Sequence, residues 1–164
     1  MKRLWTPWRM PYLRGEGKRP DGCVFCHKLS CSDVEGHILL RAQTCFVTLN
    51  RYPYSNGHLL VIPYHHVPSL EDLDEPTLSE LMQVINRSLA ALREAYTPDG
   101  FNVGTHLGRA AGAGIYDHVH IHIVPRWMAD TNFMPVVGEM RLIPELLDDT
   151  YARLKSIFSR LAAR

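Results

Sequence analysis

Apolar residues follow two periods along this chain. Gly36-His37-Ile38-Leu39-Leu40 and Cys45-Phe46-Val47-Thr48-Leu49 are short runs separated by a turn, which predicts two strands. Tyr52-Pro53-Tyr54-Ser55-Asn56-Gly57 is a cluster of turn formers. His58-Leu59-Leu60-Val61-Ile62 predicts a third strand, stopped by Pro63. The pattern then lengthens. Residues 72–76 set up a helix start, with Thr77 and Glu80 at the spacing of a capping box. Leu78, Leu81, Met82, Ile85, Leu89 and Leu92 recur as one helical face, and Pro98-Asp99-Gly100 ends it. Residues 101–104 predict a short strand, 104–114 a Gly/Ala-rich loop, and 118–124 a strand ended by Pro125. Ile143, Leu146, Leu147, Tyr151, Leu154, Phe158 and Leu161 predict a second long helix.

Strands, helix, strands and helix in that order predict an α+β fold with a mainly antiparallel sheet. One domain over 23–164 accounts for the pattern. Residues 1–22 carry three prolines and three glycines beside Trp5, Trp8, Met10 and Tyr12. They predict an arm packed on the body or on a partner chain. Lys and Arg number 18 against 17 Asp and Glu, a net charge of +1, which argues against a nucleic-acid partner. No apolar run is long enough to span a membrane. The basic start lacks an apolar stretch after it, so a cytoplasmic protein with reduced thiols is expected.

The unusual count is nine histidines. Three stand in Asp117-His118-Val119-His120-Ile121-His122-Ile123-Val124-Pro125. Strand alternation puts His118, His120 and His122 on one face and Val119, Ile121 and Ile123 on the other. Same-face neighbours are roughly 6.6 Å apart, so two can share a metal, whereas the outer pair is poorly placed to do so. Three consecutive roles therefore suit the spacing better than one three-histidine metal site. A central imidazole can act as a nucleophile while its neighbours orient it, donate protons or ligate a metal. A plain metal site and a purely structural strand are the alternatives.

Cys23-Val24-Phe25-Cys26 has the spacing of half a zinc site, and free thiols are the alternative. With His27 it also matches a haem-attachment pattern, which needs an exported protein. The glycine-rich loop can bring backbone N–H groups to phosphate oxygens, with Arg109 adding charge, or can be a plain connection.

His118-Val119-His120-Ile121-His122-Ile123-Val124 resembles the signature of the histidine triad family, and Gly57-His58-Leu59-Leu60-Val61-Ile62-Pro63 resembles that family's preceding strand. Leu4-Trp5-Thr6-Pro7-Trp8-Arg9-Met10, Leu49-Asn50-Arg51-Tyr52-Pro53-Tyr54 and Val124-Pro125-Arg126-Trp127 are similar to bacterial members acting on diadenosine polyphosphates. The resemblance implies the family's fold, a five-stranded mainly antiparallel sheet with two main helices, in a homodimer. It implies nucleotidyl transfer from a small-molecule nucleotide such as diadenosine tetraphosphate, to water or phosphate. His120 would be the nucleophile. His122 would contact phosphate and help the leaving group, with His58 supporting and Asn50 near the ribose. Zinc-containing relatives imply structural zinc on Cys23, Cys26, His66 and His118, with His65 as an adjacent decoy, and no organic cofactor. The chain departs from the family at Gly114, where many relatives carry Gln, and at His106-Leu107-Gly108, where they carry Asn-x-Gly. His106, unless it is a solvated loop histidine, and Gly108 are expected on the phosphates, with Arg109 and Gly114 beside them. Two readings of other classes compete: a nucleotide-binding or phosphoramidate-hydrolysing module, with its site active or idle, and a metal-storage or redox protein.

Overall fold

A computed structural model describes residues 22–130 and 145–162. The N-terminal arm to residue 21 and Ile143 of the expected C-terminal helix lie outside these. Among the described residues three α-helices and five strands follow in the order α1 (Val24–Ser30), β1 (Ile38–Arg41), β2 (Cys45–Leu49), β3 (Leu59–Pro63), α2 (Glu75–Tyr96), β4 (Gly100–Gly104), β5 (Ile121–Arg126) and α3 (Leu147–Ala162). All five strands form one sheet in the order β1-β2-β3-β5-β4, and every neighbouring pair is antiparallel. The expected five-stranded α+β architecture is therefore present, with a seven-residue helix, α1, added over the Cys-x-x-Cys segment.

The sheet is covered on both faces. Cys45, Val47, Leu49, Leu59, Val61, Ile121 and Ile123 pack with Leu81, Val84, Ile85, Leu92, Leu154 and Phe158 of α2 and α3. Phe46, Leu60 and Ile62 face the other way and pack with Phe25 of α1. Two buried faces explain why β2 and β3 are buried at every position.

Several boundaries differ from the sequence pattern, each for a local reason. His37 has φ 48°, outside the strand region, so β1 starts at Ile38. Pro63 belongs to β3, opposite Cys45. Pro125 does not end β5; it lies opposite Phe101, beyond Ile123, the last residue that β3 pairs. No donor is needed on the β3 side there, so proline fits. Helix α2 is capped by Asp74, whose carboxylate accepts from Thr77 N–H at 3.1 Å. Glu80, the expected capping-box partner, instead accepts from the backbone of Gln43 and Thr44 in the β1–β2 turn. Met82 is 58% exposed, and Val84, Ser88 and Ala91 complete the buried face of α2.

Helix α1 is held down by Lys28. Its ammonium donates to Gly36 O at 2.9 Å, to Thr48 Oγ1 at 2.7 Å and to Leu49 O at 3.3 Å. Burial, and then Arg51, lower its pKa to about 8. The tie fixes α1 against the sheet face that carries the histidines.

Candidate active site and metal cluster

Strand β5 begins at Ile121, so His118 and His120 lie on the extended approach to it. The alternation still holds across that boundary. Val119, Ile121 and Ile123 join the core under α2 and α3, while His118 and His120 contact Phe25 of α1. His118 is fully buried, His120 is 6% exposed and His58 is 1% exposed.

Hydrogen-bond partners fix where each ring carries its proton. His120 Nδ1 lies 2.9 Å from His118 O. A carbonyl only accepts, so Nδ1 carries the hydrogen and Nε2 of the neutral ring keeps its lone pair. Thr105 donates to His120 O at 2.7 Å and holds that backbone in turn. His58 Nδ1 accepts from Tyr54 N–H at 3.0 Å, so its hydrogen sits on Nε2. That Nε2–H donates to His122 Nδ1 at 2.9 Å. His122, neutral, then carries its own hydrogen on Nε2. The rings of His120 and His122 are 4.9 Å apart. A nucleophilic nitrogen thus stands beside an N–H donor.

All three rings are kept neutral. Burial, reinforced by His122 and His120, pushes His58 down to about 3. Burial, with His120 and His106, pushes His122 down to about 4. His120 is lowered by burial, against its bond to His118 O.

A second cluster begins one residue pair earlier. His118 Nε2–H donates to Pro63 O at 2.9 Å, which leaves Nδ1 bare. Nδ1 faces Cys23 Sγ at 3.3 Å and Cys26 Sγ at 3.7 Å. His66 Nδ1 lies 3.3 Å from Cys26 Sγ, with Asp117 3.8 Å from its other nitrogen. The ligand atoms of Cys23, Cys26, His66 and His118 lie within 4.8 Å of one another. Two thiols and two imidazoles, one with its tautomer set for ligation and one backed by a carboxylate, are a donor set that fits a divalent metal such as zinc. His65, exposed and next in sequence, is not in this group.

The remaining expected residues divide. His106 packs on His122 with ring centroids 5.2 Å apart. Asn50 accepts from Tyr52 N–H at 3.0 Å, and its amide nitrogen lies 3.4 Å from the His58 ring. Arg109 is turned onto Tyr116, with its guanidinium carbon 4.1 Å from the ring centre. Gly108 has φ +77°, a value that favours glycine, whereas Gly114 has open space around it and no positive φ. Sequence reasoning missed Phe25, Thr105, Tyr54 and Asp117. Phe25 stood between two ligand candidates, Tyr54 in a segment similar to the family and Asp117 at the head of the histidine run, whereas Thr105 carried no signal.

The profile of the HIT domain matches residues 32–128, which contain the histidine run and the preceding His58 strand. The chain belongs to the HIT family. This HIT protein is 38% identical over 167 residues to a Mycobacterium tuberculosis protein named AP-4-A phosphorylase, covering 98% of this chain and 86% of that one. It is 31% identical to a Candida albicans protein named adenosine 5′-monophosphoramidase, covering 63% of this chain and 70% of that one. Its fold is similar to a zinc-bound histidine triad family protein from Mycobacterium smegmatis, with TM-score 0.67 and 28% identity, covering 87% of this chain and 96% of that chain.

Proposed function

We propose that this HIT protein is an enzyme that splits dinucleoside polyphosphates such as diadenosine tetraphosphate through a nucleotidyl group carried on His120. The observation that carries this reading is the pairing of a bare His120 Nε2 with the Nε2–H of His122. In the first step the His120 Nε2 lone pair attacks the phosphorus next to one nucleoside. A P–N bond forms and the bond to the bridging oxygen breaks. The leaving nucleoside triphosphate takes that electron pair, and His122 Nε2–H stabilises its oxygen. In the second step an oxygen of the acceptor attacks the same phosphorus and His120 Nε2 leaves. With phosphate as acceptor the products are ADP and ATP; with water they are AMP and ATP. The name of the mycobacterial relative supports phosphate.

His58 fixes the proton of His122, and Asn50 beside it suits a ribose contact. The loop of His106, Gly108, Arg109 and Gly114 suits the phosphates, with His106 nearest to His122. Cys23, Cys26, His66 and His118 would hold zinc, which would supply a fixed anchor for His118 and no chemistry of its own. Thiol ligands suit a reducing cytoplasm. The exposed edge of β4 suits pairing with a second copy in a homodimer.

Incubation with diadenosine tetraphosphate, with and without inorganic phosphate, tests this reading. ADP plus ATP formed only with phosphate is expected; no turnover under either condition would overturn it. Hydrolysis of adenosine phosphoramidates is a second reading, supported by the Candida relative and by the same His120 chemistry.

A further inference from the structure

We infer that the ring of Tyr54 is the binding platform for the second nucleobase, the one that departs with the leaving group. This rests on the proposed function and extends it to a subsite. Among the described residues, eight large hydrophobic side chains are exposed, and Tyr54, 46% exposed, is the one whose ring touches the histidine cluster. Its ring is nearly parallel to that of His122, 11° apart with centroids at 5.9 Å, and tilted on His58 at 4.7 Å.

Tyr54 is also held in place. Its N–H donates to His58 Nδ1 at 3.0 Å, so the residue sits in a fixed loop. His122 is the donor placed to receive the leaving oxygen. The group that leaves at His122 is a triphosphate ending in a nucleoside, and the exposed aromatic face stacked on that histidine lies within reach of its base. Every nucleobase has a flat π surface, and stacking on tyrosine tolerates any of them. The platform would thus distinguish a dinucleoside polyphosphate from a nucleotide with a bare polyphosphate tail. It would not read which base is attached.

The test compares two probes, diadenosine tetraphosphate and adenosine 5′-tetraphosphate, which lacks the second nucleoside. Dissociation constants are measured by calorimetry on a His120→Ala background, where neither probe turns over. With Tyr54 intact, the dinucleotide should bind about tenfold more tightly than the mononucleotide. Tyr54→Ala keeps the backbone N–H on His58 and should bring the ratio close to one. Tyr54→Phe should keep the ratio. A ratio that Tyr54→Ala leaves unmoved, with both probes still binding, would overturn this inference alone. Failure of both probes to bind would remove the proposed function and this inference with it.

Discussion

At one end of the histidine run, His118 gives its Nε2–H to Pro63 O and turns a bare Nδ1 toward two thiols. At the other end, His122 accepts at Nδ1 from His58 and keeps its own hydrogen on Nε2. The same side chain, four residues apart, offers a lone pair at one end and a proton at the other. His120 stands between them, tied to the first end through His118 O and Phe25 and to the second through ring contact with His122. The difference teaches that residue identity alone does not set the chemistry of a histidine cluster. Backbone atoms set it for His58, His118 and His120, because a carbonyl or an N–H admits only one tautomer, and His58 passes its setting on to His122.

The comparison breaks first at its centre. His120→Ala should lower turnover of diadenosine tetraphosphate by about 10⁴-fold or more, in a chain that still melts cooperatively. Steady-state kinetics beside a melting curve check this, and retained turnover would remove His120 as the nucleophile. The metal end is expected to act on stability instead. Replacing Cys23 and Cys26 together by serine should lower the thermal midpoint by roughly 6–12 °C, as the loss of about 3 kcal/mol does in a chain of this size. Metal analysis should find about one zinc per wild-type chain and none in the variant. Zinc-free wild type with all thiols titratable would separate the four residues from any metal role.

A substitution at the other end sharpens the contrast. Gly57 has φ +71°, and a Cβ there would lie 2.9 Å from the Tyr96 ring. Gly57→Ala should cost about 2–3 kcal/mol in urea unfolding and displace the adjacent His58, while zinc content stays the same. Lost zinc in this variant would show that the two ends are not separable. A further effect is expected with pH. His58 and His122 are held near 3 and 4 in the fold, below the unfolded value near 6.5. The unfolded chain therefore binds more protons than the native one between these values. The stability from both groups is complete above about 6.5 and falls as pH drops toward 4. Urea midpoints from pH 7 to pH 5 should decline in the wild type and decline less in His58→Asn; parallel curves would contradict this.

Much of this was legible because it depends on side-chain periodicity. Alternating His and β-branched residues over 118–123 give the two faces of the run whether or not the segment is hydrogen-bonded into the sheet. The antiparallel sheet follows from short apolar runs bounded by turn formers. The Cys23, Cys26, His66 and His118 grouping came from family resemblance, since the spacing of one Cys pair leaves its partners open. Helix α1 escaped because seven residues are too few to show a helical period. Met82 fits a 3,4 repeat yet faces solvent, because the α2 stripe is centred on Val84, Ser88 and Ala91. Glu80 left its expected cap for the β1–β2 turn, a contact between residues 36 and 37 positions apart. Proton placement was not legible, because Pro63 O and Tyr54 N–H reach their imidazoles only after β3 and β5 pair.

Nucleotidyl transfer through His120 requires a bare Nε2 on that ring. Long-range ¹H–¹⁵N correlation spectra of the histidine rings at pH 7 test it most directly, with each ring assigned by single substitutions. A proton on Nδ1 of His120 and on Nε2 of His58, His118 and His122 is the predicted result. A proton on Nε2 of His120 would contradict the account.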